Sequence, residues 1–321
     1  MRWTCAILLL AACSTKTEEP VRTAAADVPW QGDWGLYQIC WGRRFEPMLE
    51  EQLPKFATTP RYIMFYRDLG RPFPQFQIDI IHEKKATPII SLELWQWTRG
   101  RARERKYLPE INRGEWDAFF RSWGEAAKKD GRPVLLRFGF EMNGDWFSWS
   151  LDPEGFIRAW KRAHRIIHTE VGARNVQWVW APNVVSIPDT PANNMHKYYP
   201  GDAVVDWVGL DGYNFGDEHS EWHKWQSFES IFDVILDDFE ARYENKPIMI
   251  AETGSAPGKG KQRQTWIRDA HAYLAARPRV KALVWFHYDK RRENEPDWRI
   301  DATPESLRAF NETFAAPRSA E

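Results

Sequence analysis

The chain alternates between short apolar runs and longer segments with helical spacing. Eight runs rich in β-branched and aromatic residues indicate β-strands. They cover residues 36–41, 62–66, 87–94, 134–140, 176–181, 207–213, 247–252 and 282–288. Between these runs, apolar residues recur at intervals of three and four, as at Phe156, Trp160, Ala163 and Ile167, which indicates amphipathic helices.

Strands that are apolar on both faces and alternate with helices are typical of a parallel sheet covered by helices. Eight strand–helix units therefore predict an α/β fold, a single (β/α)₈ TIM barrel. A doubly wound open sheet is the alternative, but no glycine-rich turn follows the first predicted strand. We expect one domain over residues 28–316 and a short C-terminal tail at 317–321.

The N-terminus predicts an export signal. Residues 1–12 combine Arg2 with an apolar run that is too short to cross a bilayer. The run ends in the letters LAAC, which resemble the lipobox of bacterial lipoproteins. That resemblance implies cleavage before Cys13, lipidation of this cysteine and a flexible tether at 13–27. We expect anchoring in the bacterial cell envelope, at the outer membrane, with the domain periplasmic or at the cell surface. An ordinary secretory signal is the alternative.

Composition narrows the class of partner. The net charge is −1, with 44 Lys+Arg and 45 Asp+Glu, so nothing favours a nucleic-acid partner. The 19 Trp, 18 Phe and 10 Tyr instead favour a ligand with flat apolar faces, since these side chains often line binding surfaces. No Cys/His cluster indicates a metal site. We expect a monomer that needs neither a metal nor a cofactor.

Two predicted strand ends carry a glutamate. Active sites of such barrels lie at the C-terminal ends of the strands. Glu141 follows the fourth apolar run and Glu252 the seventh. A single strand-end carboxylate is usually a helix cap or half of a salt bridge. Two of them, three units apart in an aromatic-rich mouth, favour a catalytic pair.

Four segments of the sequence resemble glycoside hydrolase family 26, which includes β-mannanases, β-1,3-xylanases and mixed-linkage β-glucanases. The segments are FEMNGDWFSW, YYPGDAVVDWVGLDGYN, KPIMIAETGS and VKALVWFHYD. The resemblance implies a (β/α)₈ barrel with Glu141 as acid/base and Glu252 as nucleophile. Glycosidic bonds break through a sugar cation, so one carboxyl group protonates the leaving oxygen while another meets the positive carbon. In a retaining enzyme the two groups lie about 5–5.5 Å apart.

Other residues are predicted to support this pair. The resemblance implies that Tyr213 hydrogen-bonds the nucleophile, that Trp285 forms the floor of the central sugar subsite and that Trp146 lies beside it. Because strand side chains alternate, Arg137 points the same way as Glu141, where it can stabilise the ionised nucleophile or form a structural ion pair. Four further tryptophans either extend the cleft or belong to the core: Trp95, Trp97, Trp149 and Trp180.

Two positions bear on the substrate. Mannanases of the family usually have His just before the acid/base glutamate, whereas this chain has Phe140, which cannot donate a hydrogen bond to a sugar. Glu93, at the third strand end, either binds a sugar hydroxyl or pairs with an Arg of the basic stretch at 99–106; we prefer the ion pair. The basic stretch is either a solvated loop or a feature that favours an acidic polysaccharide.

The sequence therefore predicts a retaining endo-β-glycosidase that acts on an extracellular β-linked polysaccharide. By family default the substrate is β-1,4-mannan. The alternatives are a mixed-linkage β-glucanase, a β-xylanase or an exopolysaccharide hydrolase on the same barrel, and a non-catalytic sugar-binding surface lipoprotein.

Overall fold

Eight parallel strands close into a barrel in the computed structural model, which describes residues 29–39, 42–97, 105–217 and 223–317. The strands are β1 Asp33–Tyr37, β2 Tyr62–Asp68, β3 Thr87–Glu93, β4 Val134–Phe138, β5 Val176–Trp180, β6 Trp207–Asn214, β7 Ile248–Ser255 and β8 Val280–Trp285. Each strand pairs with the next, and β1 pairs with β8. The predicted single (β/α)₈ TIM barrel is confirmed. The signal segment, Cys13, the tether and residues 98–104 lie outside the described residues.

Among the described residues, eight α-helices surround the barrel. They are α1 Phe45–Gln52, α2 Gln75–Glu83, α3 Leu108–Arg113, α4 Asp117–Asp130, α5 Pro153–His164, α6 Phe228–Arg242, α7 Gln262–Ala275 and α8 Pro304–Asn311. Helix α5 shows why these segments are helical. Asp152 caps its N-terminus by accepting a hydrogen bond from the Gly155 amide, Pro153 occupies the first turn, and the predicted stripe that includes Phe156 and Trp160 is buried. Within the described residues, no helix has the length and apolar character needed to cross a membrane.

Side chains alternate between two apolar layers. Met64, Leu135 and Val179 point into the barrel and belong to one buried cluster. Their neighbours point outward and pack against the helices, as Leu136 and Trp178 do. This alternation decides which residues beyond each strand end face the mouth of the barrel.

The observed strands differ from the predicted ones by one to four residues at one end or both, and β1, β4 and β8 illustrate the difference. Strand β1 lies at Asp33–Tyr37 instead of 36–41. The predicted strand began too late because Asp33 and Gly35 interrupt the apolar pattern at its true start. Strand β4 ends at Phe138, since Gly139 turns the chain with φ +54°. Strand β8 begins at Val280 and ends at Trp285, so residues 286–288 lie beyond it.

Candidate active site

A cavity of about 890 Å³ opens at the C-terminal mouth of the barrel. Its volume lies within the usual range for ligand pockets. Five glutamates line it: Glu93, Glu141 and Glu252 from the strands and strand ends, and Glu293 and Glu295 from the segment after β8. Aromatic side chains form much of the remaining wall: Tyr37, Tyr66, Trp95, Trp97, Phe140, Trp146, Phe147, Tyr213, Phe215, Phe286 and Tyr288. The strand-end glutamates therefore share one aromatic cavity, as the sequence predicts.

Glu252 accepts hydrogen bonds on both carboxylate oxygens. Its Oε1 accepts from the Tyr66 hydroxyl at 2.6 Å and from Arg137 at 2.5 Å. Its Oε2 accepts from the Tyr213 hydroxyl at 2.7 Å. Burial, followed by the nearby Glu252 charge, raises the pKa of both tyrosines well above the ordinary value, so both remain hydrogen-bond donors. The donors all stabilise negative charge on Glu252.

A register shift in β7 turns Glu252 into the cavity. Leu210 and Asp211 of β6 are consecutive, yet they pair with Ile250 and Glu252 of β7, so β7 contains one extra residue. The β7–β8 pairing is irregular over the same stretch. Met249 and Ala251 point into the barrel, and simple alternation would send residue 252 outward. The extra residue reverses that direction.

Arg137 connects two buried carboxylates. Its guanidinium donates to Glu252 through one nitrogen and to Asp211 through the other, and it also donates to Ser91 Oγ at 3.0 Å. Arg137 and Asp211 are fully buried. The two interpretations of Arg137 are thus compatible, since the structural ion pair with Asp211 holds the guanidinium against Glu252.

Glu141 lies in different surroundings. Its Oε2 accepts a hydrogen bond from the Trp146 indole and its Oε1 from the Asn183 side-chain amide, both at 2.8 Å. Neither donor is charged. Burial, and then the charge of Glu252, raises the pKa of Glu141 to about 7. Glu141 therefore retains a proton at a pH where an ordinary glutamate has lost it.

The backbone at Glu141 is unusual. Gly139 and Glu141 both have positive φ, +54° and +50°, and the Glu141 amide donates to the Ala181 carbonyl at 2.8 Å. A Cβ on Gly139 would lie 2.9 Å from both Leu94 and Phe156 side-chain atoms. A left-handed conformation costs a non-glycine residue about 1–2 kcal/mol. The rest of the fold offsets this cost at Glu141, and the left-handed backbone there directs the Glu141 carboxyl group into the cavity.

Hydrogen bonds among three asparagines hold Asn183, which donates to Glu141, in position. Asn143 Oδ1 accepts from the Asn183 backbone amide at 2.9 Å, and Asn143 Nδ2 donates to the Asn183 carbonyl at 2.8 Å. Asn193 in turn donates to the Asn143 carbonyl at 2.8 Å. Asn143 and Asn193 are buried. The amide of Asn183 is therefore held in one orientation toward Glu141.

Three carboxylates approach one another closely enough to resemble a metal site. One oxygen from each of Glu141, Asp211 and Glu252 lies within 4.8 Å of the other two. The guanidinium of Arg137, however, contacts two of the three and supplies positive charge where a cation would bind. The cluster is therefore organised around the Arg137 guanidinium.

The predicted aromatic residues divide between cavity and core. Trp146 and Trp95 line the cavity, and so does Trp97. The prediction for Trp285 is wrong: this side chain is fully buried outside the barrel and donates to the Trp298 carbonyl at 2.6 Å. Strand alternation directs Trp285 toward the helices and places Phe286 in the cavity instead.

The prediction that Trp180 lines the cleft is also wrong, because the same alternation directs this side chain toward the helices. It is fully buried against Tyr199, Phe239 and Tyr243, and does not reach the cavity. Trp149 is also buried and belongs to the core.

Phe140 and Glu93 both face the cavity. The Phe140 ring stacks on Tyr66 with ring centroids 5.4 Å apart, and the Arg137 guanidinium carbon lies 4.1 Å from its centroid. Glu93 accepts a hydrogen bond from the indole of Trp97. The sequence predicts an ion pair between Glu93 and an arginine of the basic stretch at 99–106. The arginines at 99–103 lie outside the described residues, and Arg105 pairs with Glu110.

Sequence reasoning missed Tyr66, Asp211 and Asn183. Alternation within the predicted strands would have found the first two, because Tyr66 follows inward Met64 by two positions and Asp211 precedes Tyr213 by two. Asn183 lies two positions after inward Ala181, beyond the predicted strand end.

Comparison with known proteins agrees with this geometry. Residues 120–259 match the family described as Glycosyl hydrolase family 26. Endoglucanase H of Acetivibrio thermocellus is 32% identical over 249 residues, which are 75% of this chain and 26% of that protein. A mannan endo-1,4-beta-mannosidase of Bacillus subtilis is 32% identical over 144 residues, 41% of this chain and 34% of that protein. The chain thus spans about a quarter to a third of the length of these relatives.

The fold has counterparts among solved structures. A modular endo-beta-1,4-mannanase from Cellulomonas fimi superposes with a TM-score of 0.63 at 17% identity, covering 90% of this chain and 71% of that one. The sequence match at 120–259 includes β4, β7 and both strand-end glutamates. Over residues 120–259 this chain is therefore similar to glycosyl hydrolase family 26, as the four sequence segments predict.

Proposed function

We propose that the protein is a retaining endo-β-glycosidase in which Glu141 is the acid/base and Glu252 the nucleophile. The observation that carries this proposal is the close approach of two buried carboxyl groups in unlike surroundings, with one oxygen of each within 4.8 Å of the other. An inverting mechanism needs about 6.5–9.5 Å between the carboxyl groups, so that a water fits beside the sugar. The shorter separation supports direct attack by a carboxylate.

In the first step Glu252 attacks the anomeric carbon while Glu141 gives its proton to the leaving oxygen. The carbon–oxygen bond of the glycoside breaks and an ester bond to Glu252 forms. Glu141 suits the acid role because burial and the neighbouring carboxylate raise its pKa to about 7. Glu252 suits the nucleophile role because Arg137 and two tyrosines stabilise its negative charge.

In the second step Glu141 acts as a base. It takes a proton from a water molecule, whose oxygen attacks the same carbon and releases Glu252. Two inversions return the sugar to its original anomeric configuration. The hydrogen bonds from Trp146 and Asn183 stabilise the ionised form that this step requires.

We propose a neutral β-linked polysaccharide as the substrate, with β-1,4-mannan as the family default. The mannan endo-1,4-beta-mannosidase of Bacillus subtilis supports this choice. A β-glucan is the second candidate, because Phe140 offers no hydrogen-bond donor to mannose and the relative that matches 75% of this chain is named an endoglucanase. β-1,3-Xylan and bacterial exopolysaccharides remain alternatives within the same chemistry.

A panel of polysaccharides tests this function. Galactomannan, glucomannan, barley β-glucan and β-1,3-xylan are each incubated with the protein, and reducing ends are measured over time. We expect one of them to be cleaved into oligosaccharides from within the chain, with the β-anomer appearing first by proton NMR. Early α-anomer would contradict the retaining mechanism. Binding without cleavage of any substrate would favour a non-catalytic sugar-binding protein.

We also propose that Cys13 carries a lipid that anchors the domain to the bacterial envelope. The lipobox-like ending of the signal segment supports this proposal. Radiolabelled palmitate fed to expressing bacteria should label the wild-type protein, and Cys13→Ala should abolish the label. Equal labelling of both proteins would contradict lipidation at this residue.

A further inference from the structure

Glu93 and Trp97 line the catalytic cavity but have no part in the proposed bond cleavage. Trp97 is 43% exposed, whereas Trp149 and Trp180 are fully buried. A large apolar side chain exposed inside a ligand cavity leaves an apolar face for the ligand.

Trp97 is held in place from several sides. Its indole N–H donates to Glu93 Oε2, and its backbone amide donates to Asp68 Oδ2 at 3.0 Å. The guanidinium carbon of Arg71 lies 5.5 Å from the ring centroid, and Arg71 forms an ion pair with Asp68 at 2.6 Å. An aromatic side chain that is already ordered loses little conformational entropy when it binds a ligand.

Glu93 adds a polar edge to this exposed ring. Its side chain is mostly buried, it lines the cavity, and its Oε2 accepts the hydrogen bond from the Trp97 indole. Burial raises the pKa of Glu93 to about 8. A neutral carboxylic acid both donates and accepts hydrogen bonds, as a sugar hydroxyl does.

We propose that Glu93 and Trp97 form a binding subsite for a neutral pyranose other than the one attacked by Glu252. The C–H face of the sugar lies on the free indole face of Trp97, and a hydroxyl group bonds to the carboxyl group of Glu93. This inference rests on the proposed glycosidase function and locates part of the substrate-binding surface on the β3 side of the cavity.

Binding measurements in a background that cannot hydrolyse the ligand test the subsite. Isothermal titration calorimetry with mannohexaose and with cellohexaose is performed on Glu252→Ala, alone and combined with Trp97→Ala, Glu93→Ala or Glu93→Gln. We expect Trp97→Ala to weaken binding of the preferred hexasaccharide about tenfold or more, in line with loss of one aromatic contact. Glu93→Ala should weaken binding by a similar amount, whereas Glu93→Gln, a neutral residue of the same shape, should retain most of it.

Phe76→Ala is the matched control, because Phe76 is an exposed aromatic residue on α2 that does not line the cavity. This variant should bind like its parent. If Trp97→Ala also binds like its parent, the subsite proposal is overturned even where the wild type hydrolyses polysaccharide. If neither hexasaccharide binds Glu252→Ala, the subsite proposal fails for these sugars. If a hexasaccharide binds through Trp97 but the wild type cleaves nothing, the subsite stands and the glycosidase function fails.

Discussion

Glu141 and Glu252 are the same amino acid in the same cavity, yet their surroundings differ in charge. Glu252 is bound by a guanidinium and two phenols. Glu141 is bound by an indole and an amide, and burial together with Glu252 raises its pKa to about 7. The comparison shows that burial and a neighbouring carboxylate, and not the amino-acid type, keep a proton on Glu141 near neutral pH.

The largest expected effect comes from removing Glu252, the proposed nucleophile. Glu252→Ala should lower kcat by roughly 10⁴-fold or more, since no other group can form the glycosyl ester. Added azide, which is small enough to attack in its place, should partly restore turnover of an activated aryl glycoside as the α-glycosyl azide. Circular dichroism controls for folding. A variant that keeps wild-type activity would refute the assignment of Glu252.

Removing the acid/base should give a smaller and substrate-dependent loss. Glu141→Ala should reduce kcat/KM on polysaccharide by about 10²- to 10⁴-fold, the usual value of a positioned acid. An activated aryl glycoside, whose leaving group needs no proton, should be affected far less in the first step. Azide should now yield the β-glycosyl azide, opposite to the product from Glu252→Ala. Identical azide products from the two variants would contradict their separate roles.

The phenol of Tyr213 should contribute less than either carboxyl group. Tyr213→Phe removes one hydrogen bond to Glu252 Oε2, and such bonds to charged groups are worth about 1.5–3 kcal/mol. We expect kcat/KM to fall roughly 10- to 100-fold. Tyr243→Phe is a suitable control, because Tyr243 is buried in the outer core against Trp180. An unchanged Tyr213→Phe enzyme would show that this hydrogen bond does not matter for catalysis.

The subtlest prediction concerns pH. Glu141 must be protonated in the first step, so kcat/KM should decline as the pH rises through about 7. Asn183→Asp replaces the N–H donor with a negative charge, which favours the protonated form of Glu141 and raises its pKa further. The alkaline limb of the kcat/KM profile should therefore move to higher pH. A shift to lower pH would contradict the proposed role of Asn183, and a uniform loss would indicate only misplacement.

Much of this architecture could be predicted from the sequence. The apolar runs and helical stripes sufficed for the eight-stranded barrel, because both faces of a parallel strand must be apolar. The glutamates stood out because each follows a run with little polar character. Tyr213 was predicted from the resemblance, and the structure places it at hydrogen-bonding distance from Glu252.

The aromatic predictions failed where the direction of a strand side chain was not considered. Trp285 and Phe286 are adjacent, but one faces the helices and the other the cavity. The contact between Asn183 and Glu141 could not be predicted for another reason. Its role depends on hydrogen bonds with Asn143 from a different loop, and such a contact between distant segments leaves no periodic pattern in either one.

The extra residue in β7 has a consequence for protein engineering. Glu252 faces the cavity only because the strand is one residue longer there than regular pairing with β6 requires. Transplanting this segment into another barrel by matching strand lengths would retain the glutamate proposed as nucleophile but direct its side chain toward the surrounding helices. The direction of the Glu252 side chain thus depends on the number of residues in β7 as well as on their identities.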